Sequence, residues 1–346
     1  MASHHHSHHS HHNRQRKLTP VQAILVVLLS VAILGAAYYF SLKAEDSNRN
    51  PDPVGDPDAR HAYDVTIEYE GHTYRQRSNV TSILLMGIDQ EESESTSVGQ
   101  RGGGQADFLR LIIIDRGKKT ISQLAIDRDT MAEITILGVT GNVSGTRVDN
   151  ISLSHYFGDG KEKSCELTRD AVSRLLFGTR IDFYLAMNMK GIGTLNDELG
   201  GVTVTLEDDF SPFNPEWTKG TKVTLNGSEA ETFVRSRRSI GDGKNTSRMR
   251  RQQQYLSAAG RILMDKIQED YDYIGHLFDT LHPYLVSGIR RDRLVNEAYI
   301  AREYDRPEVY SISGEHKVSE KGFMQFWPDE KALKETVLYL LFQQVR

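Results

Sequence analysis

Long apolar runs separated by short polar breaks outline most of the chain. Leu18 to Leu42 carries no charged residue, enough to cross a bilayer as one helix and too long for a signal-peptide core. Residues 44–60 are polar and Pro-rich, the composition of a flexible linker. Val65–Tyr69 and His72–Gln76 then read as a hairpin turning at Glu70-Gly71. Ile83–Ile88 is a buried-strand run, and Phe108–Ile114 and Thr120–Ile126 flank a hairpin turn at Asp115–Lys119. Helical periodicity marks 164–177 and 190–199, with a strand at 181–187 between them and a Gly200-Gly201 break before the strand Val202–Leu206.

A long helix is expected from Ser247, burying Met249, Leu256, Ala259 and Leu263, while Arg248, Gln252 and Tyr255 share a second face. Asn245, Thr246 and Ser247 supply N-cap residues, and Arg235 and Arg237 alternate as on one face of a strand. Further helical stretches at 270–287 and 290–304, an extended VYSIS and a last helix near 328–344 complete the chain. Strands and helices alternate without a strict βαβ repeat. The fold class is therefore α/β (α-β-α), a central mixed sheet flanked by helices with a short accessory hairpin, preceded by a single transmembrane helix.

Charge sharpens this picture. The 346-residue chain has a formal net charge of -5, yet residues 235–254 hold seven basic residues against the one acid Asp242. A cationic cluster on an acidic protein, beside a helix N-terminus, suits an anion such as one phosphate or two linked phosphates. The single cysteine, Cys165, excludes an intramolecular disulfide framework and a cysteine-rich zinc site. The first twenty residues hold most of the thirteen histidines and read as a tag-like tail, set apart from the site. Arg14, Arg16 and Lys17 precede the apolar span, whereas the residues after it are mixed in sign. The positive-inside rule places the N-terminus in the cytoplasm and residues 43–346 outside the cell membrane.

Hairpin geometry groups the acids. Asp107 should lie beside Arg128-Asp129 at one end of the sheet, because the strands that carry them pair across the Gly117 turn. Asp89 joins the same edge if its strand runs parallel to Thr120–Ile126. Two aspartates with few other ligands suit Mg²⁺, which shares its shell with water and substrate phosphate. Arginine forks suit the phosphates themselves. The Gly-rich loop at 90–106 lacks the Lys-Ser/Thr ending of a nucleotide P-loop, which excludes that motif.

GIDQ at 87–90, GQADFLRLIIID at 104–115, DRDT at 127–130, IDFYLAMN at 181–188, NDELGGVTV at 196–204 and VRSRRS…NTSRMRRQQQYL at 234–256 resemble the LytR-CpsA-Psr family. VYSISGE at 309–315 and FWPDE at 326–330 resemble the C-terminal part of clostridial-type members. The resemblance implies a membrane-anchored phosphotransferase of Gram-positive bacteria. Such enzymes move an anionic glycopolymer, for instance a teichoic acid or capsular polysaccharide, from a polyprenyl-pyrophosphate carrier to a peptidoglycan sugar.

Carried over by motif, Asp89 and Asp107 would hold Mg²⁺. Arg128, Arg147, Arg235, Arg237, Arg248 and Gln252 would contact the pyrophosphate, Asp129 would orient an arginine, and Asn150 would hold an asparagine position. Asp107, Arg128 and Asp129 form the implied catalytic set. There are departures. Gln105-Ala106-Asp107 stands where the family often has Arg-Ser-Asp, so one guanidinium is missing unless Arg101 replaces it. Asn245 stands for a frequent Asp, and Asp127 for the Pro of Pro-Arg-Asp.

The implied organisation is a cytoplasmic tail at 1–19, a transmembrane helix at 20–42, a linker at 43–60, the accessory hairpin at 61–77, a catalytic domain at 78–264 and a C-terminal helical extension at 265–346 packed on it. Helices 164–177 and 190–199 either wall a tunnel for a polyprenyl tail or are core, and periodicity favours core for most of their residues. Hydrolysis of the same linkage, or non-catalytic binding of the lipid pyrophosphate, are the alternative activities. A nucleic-acid role is disfavoured by the external topology and the lack of a helix-turn-helix pattern.

Overall fold

The computed structural model describes residues 65–90, 102–138, 140–236, 240–241, 245–270, 272–301, 303–306 and 309–345. The expected transmembrane segment, Arg101 and Arg237 lie outside them. Among the described residues no helix is long and apolar enough to cross a membrane.

The centre is a mixed sheet made of β3 (Val80–Ile88), β4 (Ala106–Asp115), β5 (Thr120–Ile126), β8 (Phe183–Asn188), β11 (Leu285–Ser287) and β12 (Val309–Ser311), in the order β11-β8-β3-β4-β5-β12. β3 pairs antiparallel with β4 and β4 antiparallel with β5, so β3 and β5 run the same way. β8 lies parallel to β3, and β12 parallel to β5. Both faces are apolar because both are covered, which is why β3 and β4 read as continuous hydrophobic runs rather than alternating ones.

One face packs Leu84, Met86, Leu109, Leu111 and Leu124 against α2 (Glu162–Leu175) and the last helix, α8 (Glu330–Leu341). The other packs Ile83, Leu85, Ile112 and Ile114 with Leu294 and Ala301 of α7 (Arg291–Ala301). A second core gathers α3 (Lys190–Glu198), α4 (Gly227–Arg235), α5 (Asn245–Glu269) and α6 (Asp272–Leu281) around Phe210, Phe233 and Tyr255, with the strands β9 (Val202–Thr205) and β10 (Lys222–Leu225). A one-turn helix, α1 (Leu153–Tyr156), precedes α2.

The accessory hairpin forms as expected from β1 (Thr66–Tyr69) and β2 (His72–Gln76), with positive φ at both Glu70 and Gly71. It gains a third strand, β15 (Phe342–Gln344), from the chain's end. Arg77 fixes the junction: its guanidinium pairs with buried Asp115 and donates to the Leu340 carbonyl.

Two expectations are corrected. Residues 265–346 are not simply a helical extension. They give β11 and β12 to the central sheet, and β13 (Gly314–Val318) with β14 (Met324–Pro328) as a hairpin beside it. β11 and β12 are three residues each, too short for alternation to reveal them. Arg235 is not on a strand. It ends α4, which Asn226 and Glu229 start with a reciprocal capping box. Of the two alternating arginines, Arg235 is thus a helix end, and Arg237 lies outside the described residues.

Candidate active site

The carboxyl ends of β3 and β5 and the start of β4 meet at one sheet edge, so the hairpin register delivers its charged residues there. Leu109 pairs with Ile126, which sets Asp107 beside the turn that carries Arg128. Arg128 Nη1 forms an ion pair with Asp107 Oδ1, and Arg128 Nη2 donates to Gln105 Oε1 at 2.7 Å. From the other side of the cleft, Arg248 Nη2 on the first turn of α5 lies 3.0 Å from Asp107 Oδ2. Arg128, Arg248 and Asp107 are thus one cluster, assembled from segments far apart in the chain.

Asp129 orients Arg128: its Oδ1 lies 3.4 Å from Arg128 Nε and accepts from Asn150 Nδ2 at 3.2 Å. Asn150 sits at the end of β7 (Val143–Asn150), which pairs with β6 (Met131–Leu137). Arg147, on the same strand, is half-exposed; it pairs with Asp149 at 2.6 Å and stacks over Phe157. Arg235 is exposed at the end of α4, and Gln252 Nε2 donates to the Val234 carbonyl beside it at 3.3 Å. The structure thus brings Asp107, Arg128, Asp129 and Arg248 together and sets Gln252 against the same cleft.

Burial pushes the Asp107 carboxyl above its ordinary value, although Arg128 and Arg248 pull it down; the neighbouring charge of Asp89 pushes it further up. Burial likewise raises Asp129, against the pull of Arg128. Asp89 is exposed at the end of β3, its backbone N–H held by the Gln105 carbonyl at 2.9 Å.

Two cavities share Asp107, Phe108 and Gln252. One is an apolar channel of about 80 Å³ between the sheet and the helical core, lined by Leu85, Leu185, Ile192, Leu195, Tyr255 and Leu256. α3 therefore does supply channel walls, as well as core, whereas α2 packs into the core on the opposite face of the sheet. The other is a cavity of about 210 Å³ with a mixed lining, in which Arg110, Asp127, Arg128, Gln253 and His316 stand among Phe108, Ile126, Ile312 and Phe326. Asp127 caps the turn through the Asp129 N–H at 2.8 Å and meets His316 Nε2 at 3.0 Å.

The LytR_cpsA_psr family model matches residues 39–338. The chain belongs to the LytR_cpsA_psr family. A relative from Bacillus licheniformis, the polyisoprenyl-teichoic acid–peptidoglycan teichoic acid transferase TagU, is 26% identical over 246 residues, 70% of each chain. Its Bacillus subtilis counterpart is 27% identical over 244 residues, 70% of this chain and 69% of the relative. Among solved structures, TagT bound to LI-WTA superposes with a TM-score of 0.54 at 22% identity, covering 76% of this chain and 89% of that one. The gbs0355 protein of Streptococcus agalactiae reaches 0.59 at 19% identity, covering 76% and 88%. These structural likenesses establish the shared fold.

Sequence reasoning missed the second cavity. Gln105, Arg110 and His316 belong to it or border it, yet VYSISGE at 309–315 marked only a family likeness, and Arg110 reads as an interruption in a strand.

Proposed function

We propose that this LytR_cpsA_psr protein is a membrane-anchored, extracellular phosphotransferase that moves an anionic glycopolymer from a polyprenyl-pyrophosphate carrier to a peptidoglycan sugar. It is an enzyme, a transferase of phosphorus-containing groups. Transfer of a glycopolymer to peptidoglycan is the activity named for its TagU relatives. The observation that carries the finer reading is the position of Arg128 and Arg248 around Asp107, where an apolar channel meets a cavity that holds charged side chains. That junction matches a ligand with a hydrocarbon tail, a pyrophosphate and a sugar chain in series. The uncharged span from Leu18 to Leu42 supports the anchor.

In the reaction an acceptor hydroxyl oxygen bonds to the phosphorus next to the sugar chain. The bond from that phosphorus to the bridging oxygen breaks, polyprenyl phosphate leaves and the hydroxyl proton is released. Arg128 and Arg248 offset the charge that grows on the departing phosphate, and Gln252 borders both substrate halves.

The donor set fits Mg²⁺. Asp107 and Asp89 offer hard oxygens, Asp89 is open to water, and Asp107 is close enough to feel its charge. Among the described residues no group of three or more His, Cys, Asp or Glu side chains is placed to hold a metal ion. Mg²⁺ would neutralise pyrophosphate charge when bound.

The test incubates the full chain in detergent with a synthetic polyprenyl-pyrophosphate disaccharide, Mg²⁺ and peptidoglycan fragments, followed by mass spectrometry. A disaccharide-phosphate adduct on the fragments supports transfer. Free disaccharide phosphate alone would make the protein a hydrolase, and intact donor throughout would make it a binding protein.

A further inference from the structure

Arg110 is an unusual residue for the middle of a central strand. It lies on β4 with 5% of its surface exposed, between Leu109 and Leu111. A buried guanidinium ordinarily has a carboxylate beside it, because the desolvation cost is otherwise left uncompensated. Among the described residues Arg110 forms no ion pair. Its one hydrogen bond runs from Nη1 to the neutral amide oxygen of Gln123 at 3.1 Å, its Nε is buried without a partner, and Phe108 lies 5.2 Å away under the guanidinium.

The surroundings explain what such a charge is for. Arg110 lines the 210 Å³ mixed cavity, which also contains Arg128 and meets the apolar channel at Asp107, Phe108 and Gln252. Of the two carboxylates that line the cavity, Asp107 is held by Arg128 and Arg248, and Asp127 is committed to His316 and to the turn at Asp129. The far wall is Ser311, Ile312, His316 and Phe326, all from the C-terminal segment. The cavity is therefore closed by a part of the chain that the pyrophosphate cluster does not use. It holds a cation that has no carboxylate partner among the described residues.

We infer that this cavity is an anion subsite, in which Arg110 receives a carboxylate or phosphate carried on a sugar of the substrate. The inference deepens the proposed function and rests on its placement of the lipid in the apolar channel. A carboxylate would come from the acceptor glycan and a phosphate from the transferred polymer. Either would supply the partner that Arg110 lacks, through a charge-assisted contact in a partly desolvated site.

The experiment uses the full chain in detergent, presaturated with farnesyl pyrophosphate to fill the Arg128–Arg248 cluster. Two probes are titrated by calorimetry: N-acetylmuramic acid, with its methyl ester as the neutral control, and glycerol 3-phosphate. Wild type should bind one anionic probe, and Arg110→Met should weaken it about 10-fold or more while leaving farnesyl pyrophosphate affinity unchanged. Preference for N-acetylmuramic acid over its ester assigns the acceptor, and preference for glycerol 3-phosphate assigns the polymer.

Arg110→Met keeps the stem volume and removes a buried charge, so its Tm should hold; Arg110→Lys serves as a second variant that retains the charge and should bind at an intermediate level. Equal probe affinity in wild type and Arg110→Met would overturn the subsite, as would no probe binding to wild type. Failure of farnesyl pyrophosphate to bind would instead count against the proposed function. The same probe titrations without it still decide the role of Arg110.

Discussion

Arg248 reaches across the cleft from α5 to place Nη2 3.0 Å from Asp107 Oδ2, while Arg128 holds the other carboxylate oxygen. Asp107 is thus the anion that keeps the two guanidinia in position. A pyrophosphate would take over that role and free the carboxylate for a cation. Asp107→Ala should therefore abolish transfer. Arg128 borders a cavity that can hydrate it, so the fall in Tm should be small. Thermal unfolding beside a transfer assay checks both halves, and a large drop in Tm would mark Asp107 as structural.

Removing either guanidinium should cost about 2–4 kcal/mol of transition-state stabilisation, read from kcat/KM. Arg128→Lys and Arg248→Lys should recover only part of this, because a compact ammonium cannot match the forked geometry. The two residues share Asp107, so the double variant should lose less than the sum of the single losses. Strict additivity would indicate two separate sites.

The apolar channel makes a prediction about chain length. Leu256 on α5 lines it and is only partly buried, so Leu256→Trp should fill free volume without overpacking the core. Donors with long prenyl tails should lose affinity, whereas a short-chain pyrophosphate that contacts only the arginine cluster should bind as before. Equal losses for both would show that the channel does not hold the tail.

Much of this site could be read in the sequence where one register fixed several residues at once. The turn at Asp115–Lys119 determines the β4–β5 pairing, and that pairing alone puts Asp107 against Arg128. The shared face of Arg248, Gln252 and Tyr255 followed from helical spacing in the same way. What escaped was set by long-range packing. No local pattern reports that β12 docks parallel to β5, or that this docking carries His316 to Asp127. Arg235 was misplaced for a different reason: alternation over three residues fits a strand and a helix end equally well, and the Asn226–Glu229 capping box was the stronger signal.

The loop leading into Asp107 is held by a buried histidine, which makes its position sensitive to acid. His155, 1% exposed, donates from Nδ1 to the Gly103 carbonyl at 2.6 Å, and its Nε2 faces Cys165 Sγ at 3.8 Å. Burial lowers its pKa from the ordinary 6.5, outweighing the two backbone carbonyls that favour the charged form. The sign follows from linkage. Above 6.5 the ring is neutral in both folded and unfolded chains, and the contribution to stability is fully present. As pH falls below that value the unfolded chain takes up a proton that the folded chain resists, so stability is lost towards the folded-state pKa. His155→Gln, which can still donate to Gly103, should flatten this part of the stability curve below pH 6.5 while costing some packing at every pH. Asp107 and Asp129 titrate in the opposite sense, their raised pKa values favouring the folded state on acidification, and they are common to both proteins. Subtracting the two urea-denaturation series, measured from pH 8 down to about 5, therefore isolates the histidine. A difference that does not change with pH would show that His155 is not the acid-sensitive group.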